Sequence, residues 1–209
     1  MEDFLVAGLF APFKRGKAVP SGGKPGGMPL FRVCLLTAVL ALGGVSCGPD
    51  PESAGRPDSR EVEITRVVDG DTVEISPTIE GIEDVRLIRM DTPEVSGECG
   101  AEPLAREAED YTMRHAGVRV SLDLGEERTD RYGRLLAYVR LPDGDMLNER
   151  LVRRGLAQVA TFPPNVRYEE DFREAQRLAR EESIGIWGLS SERRSMLADR
   201  GNGIGGDGC

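Results

Sequence analysis

The sequence predicts an α+β fold, a five-stranded β-barrel with three helices, and two observations carry that expectation. Five short runs of alternating or continuous apolar residues are set apart by turn signals, as strands are. The helical patterns are bunched, one after the third run and the others after the fifth, whereas a parallel α/β sheet would alternate helix with strand. Length agrees, since 209 residues suffice for one ordinary core plus tails and are too few for two comfortable ones.

In order, residues 1–27 hold Gly, Pro and Lys without sustained period and read as unstructured, or as a mis-assigned start with translation beginning at Met28. Residues 28–47 form a signal segment: Arg32, the apolar run Val33 to Val45, then Ser46-Cys47 before Gly48-Pro49. The run is too short to span a bilayer and has the layout of a secretory h-region. It resembles a bacterial lipoprotein signal with Cys47 as the lipidated residue, although Gly44 stands where such signals usually carry an aliphatic side chain. Ordinary cleavage and an uncleaved anchor remain open beside lipidation. Export, to the cell membrane as a lipoprotein or into the medium, is the expectation, and residues 48–60 read as a Pro-, Gly- and Ser-rich linker.

The folded part begins near residue 61. Val62, Ile64 and Val67-Val68 precede Asp69-Gly70, with Val73 and Ile75 beyond, which predicts two strands joined by a tight turn. Val85 to Met90 is a third strand, ended by Pro93, which lacks a ladder donor. Leu104, Ala105, Ala108, Tyr111 and Thr112 recur at helical spacing over residues 102–115, and Gly117 stops them. Val118 to Leu124 and Leu135 to Leu141 complete five strands. Helices follow over 147–154 and 168–182, and Trp187 is expected to cap the core. Residues 190–209 are Gly-rich and read as a flexible tail. This order fits a small barrel of the OB type.

A formal net charge of −9 argues against nucleic-acid binding by bulk positive charge, but not against a local basic cleft. Lys14, Lys17 and Lys24 all precede the core, so its basic side chains are arginines, suited to bidentate phosphate contacts; biased base composition would give the same result. Beyond Cys34 and Cys47, only Cys99, Cys209 and His115 remain as soft or imidazole ligands, too few for structural zinc. His115, at a helix C-terminus, reads as structural.

Chemistry concentrates in Arg86 to Glu94, a strand followed by two carboxylates, Asp91 and Glu94, on a turn. Such a pair needs a cation or an arginine nearby. Asp69-Gly70-Asp71-Thr72 alone is more often a hairpin turn than a metal site. Its company changes that: Asp71, Asp91 and the Thr92 carbonyl are hard oxygen donors of the kind that calcium accepts in irregular geometry and magnesium accepts with more waters.

The motifs Val68-Asp69-Gly70-Asp71-Thr72, Arg86-Leu87-Ile88 with Asp91-Thr92-Pro93-Glu94, Thr129 to Arg134, Asn148-Glu149 and Gly185-Ile186-Trp187-Gly188 together resemble the thermonuclease, or staphylococcal nuclease, family over residues 61–189. The resemblance implies an OB-fold endonuclease that uses Ca2+, held by Asp71, Asp91 and Thr92, to hydrolyse DNA and RNA and leave 3′-phosphate ends. It implies Glu94 as general base and Arg86 and Arg134 as stabilisers of the transition state, with Arg131 and Tyr132 on the substrate nucleotide. The family's tyrosine pair after the second helix is missing. Ala160 to Asn165 stands there, and Phe162 either stacks on a base in its place or packs. A monomer is expected. The competing reading is a non-catalytic nucleic-acid-binding module at the cell envelope.

Overall fold

Strands β1 (Ser59–Asp69), β2 (Thr72–Ile79) and β3 (Ile82–Leu87) form a meander, and β5 (Arg119–Thr129) and β6 (Leu135–Arg140) a hairpin that closes it into a barrel in the order β1-β2-β3-β6-β5. The computed structural model describes residues 59–96 and 100–206, which belong to one compact unit. The signal segment with Cys47, and Cys99 and Cys209, lie outside the described residues. All barrel pairs are antiparallel except β3 with β6, where Val85, Arg86 and Leu87 face Leu135, Leu136 and Ala137 in parallel.

The alternation read in the sequence fills the interior. Ile64, Val73, Val85, Leu87, Leu122, Leu135, Ala137 and Val139 are all fully buried. Helix α1 (Ala105–Met113) buries Ala105, Ala108, Tyr111 and Thr112, the stripe its spacing predicts. Its Thr112 hydroxyl donates to the Gly70 carbonyl at 2.7 Å, pinning the β1–β2 turn. Helix α2 (Leu147–Arg153) inserts Leu147, Leu151 and Val152, and α3 (Glu169–Glu181) adds Phe172 and Ala175. His115 accepts its predicted structural place, its Nδ1 3.2 Å from the Tyr111 carbonyl and its ring edge-on to Tyr111.

The third strand differs from the run Val85 to Met90. It ends at Leu87, Arg89 takes a left-handed φ of 68°, and the chain resumes as β4 (Met90–Asp91), paired with β7 (Gln158–Val159). This break supplies the bend that strict alternation requires if Arg86 and Asp91 are to share a side. Asn148 holds it. The buried side chain accepts from the Val139 amide at 2.9 Å and donates to the Ile88 and Ala137 carbonyls at 3.0 and 3.2 Å.

The run beyond residue 190, for which composition suggests a flexible tail, is packed through residue 206. A one-turn helix α4 (Ser191–Arg194) leads to Leu197, fully buried against Ala179, Ile186 and Trp187. Trp187 therefore closes a small second cluster rather than the barrel core. One buried leucine outweighs the polar composition because burial of a single such side chain contributes roughly 1.5–3 kcal/mol. Among the described residues no helix is long and apolar enough to cross a membrane.

Asn148→Leu strands the Val139 amide and the Ile88 carbonyl without their partner, and is expected to lower stability by about 2–3 kcal/mol. Urea unfolding, with an unchanged denaturant slope, checks this; an unaltered midpoint would show that the amide is dispensable.

Candidate active site

A cleft of about 660 Å³ opens beside the β3–β4 break. Its floor is Arg86, which alternation turns outward between the buried Val85 and Leu87. The guanidinium spans two carboxylates: Nη1 pairs with Asp71 Oδ1 and Nη2 with Asp91 Oδ1. Asp71 comes from the β1–β2 turn, which the Leu87 amide ties to β3 by donating to the Asp71 carbonyl at 2.8 Å.

Asp71 is 1% exposed, and its carboxylate is thoroughly partnered. Oδ2 accepts from the Thr92 amide at 2.9 Å and the Thr92 hydroxyl at 3.0 Å, and Oδ1 also receives the Thr72 hydroxyl at 3.3 Å. Burial pushes this carboxyl up, the Arg86 charge pulls against it, and the neighbouring Asp69 and Asp91 add to the rise. Burial and the neighbouring carboxylates thus outweigh the charge of the single guanidinium.

The predicted ligands Asp71, Asp91 and Thr92 are thus brought together. Among the described residues no three His, Cys, Asp or Glu side chains are grouped to hold a metal. A cation here would rely on two carboxylates, the Thr92 carbonyl and water. That all-oxygen set fits calcium, or magnesium with more waters, and excludes a closed zinc site.

Glu94 lies at the cleft rim, exposed, just beyond Pro93. Desolvation against the wall and the charges of Asp91 and Asp69 raise its carboxyl above the ordinary glutamate value, with Arg86 and Arg200 opposing. Its backbone is fixed by Glu102: the Glu94 amide donates to Glu102 Oε2 at 2.9 Å, and the Glu102 amide to the Glu94 carbonyl at 2.8 Å.

Across the cleft, Asp130 organises the β5–β6 turn. Its Oδ1 accepts the Tyr132 and Arg134 amides at 2.9 and 3.0 Å, while Oδ2 accepts Arg134 Nε at 2.8 Å. Arg134 is held with Nη1 3.5 Å from the Thr72 hydroxyl, on the same side as Arg86. Arg131 and Arg134 both flank the Tyr132 ring, 4.8 and 5.4 Å from its centre. Tyr132 is 68% and Phe162 72% exposed, and both line the cleft. Phe162 is therefore not packed into the core.

Three participants were not legible. Arg200, on the run taken for a tail, pairs through Nε with Asp91 Oδ2 and donates from Nη2 to the Thr92 carbonyl at 3.1 Å. Glu102 bonds both Arg200 and the Glu94 backbone. Arg89 carries a guanidinium that is 1% exposed, bonded to the Thr161 hydroxyl at 2.9 Å and 3.8 Å from Glu169, with Nε and Nη2 lacking hydrogen-bond partners. Only an arginine in an apolar strand signalled the last.

A family model described as staphylococcal nuclease homologue matches residues 84–189. The thermonuclease of Staphylococcus hyicus is 37% identical over 140 residues, covering 65% of this chain and 82% of the relative. That of Staphylococcus intermedius is 37% identical over 142 residues, 67% of this chain and 83% of the relative. Endonuclease YncB of Bacillus subtilis (strain 168) is 34% identical over 152 residues, 66% and 70%.

Gly70 sits where a Cβ would lie 2.7 Å from the Thr92 hydroxyl and 2.9 Å from its Cβ and Cγ2. Gly70→Ala is therefore expected to displace Thr92 from Asp71 and to lower stability by about 1–3 kcal/mol. Thermal unfolding tests it, and an unshifted melting temperature would mean that Thr92 moves freely.

Proposed function

The chain belongs to the staphylococcal nuclease homologue family and is a hydrolase of phosphodiester bonds, and from that premise we propose that it is an exported, calcium-dependent endonuclease acting on DNA and RNA. The observation that carries the reading is the convergence on one cleft of Arg86, Arg134, Asp91 and the rim Glu94, with the buried Asp71 behind it bonded to Arg86 and to the Thr92 amide. Export rests on the apolar run Val33 to Val45, and anchoring on a lipidated Cys47.

Asp71, Asp91 and the Thr92 carbonyl would hold calcium. When bound, the ion supplies charge that polarises a non-bridging phosphoryl oxygen. Arg86, which spans both aspartates on the cleft floor, would offer its remaining N–H groups to the phosphate. Arg134, steadied by Asp130 and held on the same side as Arg86, donates beside it, so two planar forks face the oxygens on which charge builds. Glu94, with a carboxyl raised in proton affinity and no barrel packing to restrain it, takes the proton of the attacking water. Tyr132 and Phe162, exposed on the cleft, would offer their faces to bases, a contact tolerant of sequence.

Full-length protein is expected to nick plasmid DNA with calcium and to stop in EDTA. Undiminished cutting in EDTA overturns the metal assignment, and failure to cut DNA or RNA with any divalent ion would favour a binding-only barrel. Glu94→Gln should bind nucleic acid normally yet turn over at least about 100-fold more slowly, the usual scale of general-base loss. Arg134→Ala should cost on the order of 10²–10³ in rate, as removal of a transition-state donor does. Wild-type turnover in either variant removes that residue from the mechanism.

A further inference from the structure

We propose that the segment around Arg200 is a built-in latch on the metal site, in which the Arg200 guanidinium and the metal ion exclude one another. The inference rests on the assignment of Asp91 and Thr92 as ligands. It concerns what already stands on them. Arg200 is inserted, its side chain 10% exposed, with Nε on Asp91 Oδ2 and Nη2 on the Thr92 carbonyl at 3.1 Å. Of the three donors proposed for calcium, the protein's own cation engages two.

The insertion is supported along its length. Nη2 also reaches Glu102 Oε2 at 3.3 Å, and Nη1 donates to the Ala198 carbonyl at 3.0 Å. The Ala198 amide donates to Glu102 Oε1 at 2.6 Å, so one glutamate holds both the arginine and its backbone. Leu197 is buried, and the Asn202 amide donates to the Val159 carbonyl at 2.8 Å while its Oδ1 accepts from Gln176 at 2.9 Å. This is a docked segment with a positive tip. Past the arginine it turns through Gly201, Gly203 and Gly205, all at positive φ, a conformation open to residues without a Cβ.

Mutual exclusion follows from charge. A divalent ion bound to the Thr92 carbonyl and to Asp91 lies beside the same oxygens that the guanidinium contacts, where two cations in a half-buried cleft repel strongly. The ion must therefore lift Arg200 away, and metal affinity is reduced by the stability of the docked segment. Glu102 extends the effect, because the oxygen that holds Arg200 also accepts the amide of Glu94. Undocking releases one of the restraints on the rim glutamate as the metal arrives.

Two measurements on full-length protein decide the matter. Calorimetric titration with calcium alone is expected to show Arg200→Met binding at least tenfold more tightly than wild type. Equal or weaker binding in the variant overturns the latch while leaving the metal reading intact. Absence of calcium binding by both proteins overturns the metal reading and the latch with it. The second measurement needs no substitution: hydrogen exchange of residues 196–206 in the wild-type chain should speed up on adding calcium and return on adding EDTA. Unchanged or slower exchange while calcium is bound would show that the segment stays docked, and would refute exclusion.

Discussion

A carboxylate kept out of water is the constraint on which the rest depends. Asp71 is sealed behind the β1–β2 turn, and its two oxygens take hydrogen bonds from Thr72, Thr92 and Arg86. A buried charge costs several kcal/mol unless its partners are exact in place, and removal of one partner leaves the other uncompensated. The pairing of β2 with β3, which sets Thr72 opposite Arg86, is therefore held by more than its ladder. Fold and site share one interaction, so Arg86 has a structural duty toward Asp71 as well as any duty toward a phosphate.

Meeting that constraint forces an irregularity. Continued as a strand, the chain after Leu87 would carry Asp91 to the face opposite Arg86. The left-handed turn at Arg89 resets the phase, and such a conformation at a residue with a side chain costs about 1–3 kcal/mol. The surroundings offset it: Asn148 binds the Ile88 carbonyl, the Ala160 amide donates to the Arg89 carbonyl at 3.1 Å, and β7 pairs with β4. Helix α2 thus supports the site from behind, and β7 holds Asp91 itself through the pairing of Gln158 with it.

What was legible in the sequence followed from local physics. Alternating Val and Ile marked β1 and β2, Pro93 marked a strand end, and the stripe Ala105, Ala108, Tyr111 and Thr112 marked α1. Even the need for a bend between Arg86 and Asp91 could be deduced from the two-residue period, though not its place at Arg89. The bonds from Asn148, Glu102 and Arg200 to the site and its frame join residues between 8 and 109 positions apart in the chain, and leave no periodic trace. The run beyond residue 190 reads as a tail from its glycine content, and the apolar Leu197 and Ile204 that dock it are too few to set up a period. Phe162 was undecided because exposure is a property of the fold around it.

Charge explains why an acidic protein can turn a surface toward a polyanion. The cleft is lined by five carboxylates and four guanidiniums, close to balance, within a chain of net charge −9. At about 8–10 Å of screening length the distant surface charge matters little to a bound phosphate, so the local balance decides. Near balance, a divalent cation changes the sign of the site, whereas a surplus of fixed arginines would attract nucleic acid whether or not the ion were present. Arg200 fits the same logic: a positive side chain on Asp91 offsets part of the charge of the neighbouring carboxylates. A lysine would offer a compact charge without the planar fork that here reaches Asp91, the Thr92 carbonyl and Glu102 together, which is the physical reason an arginine suits that position.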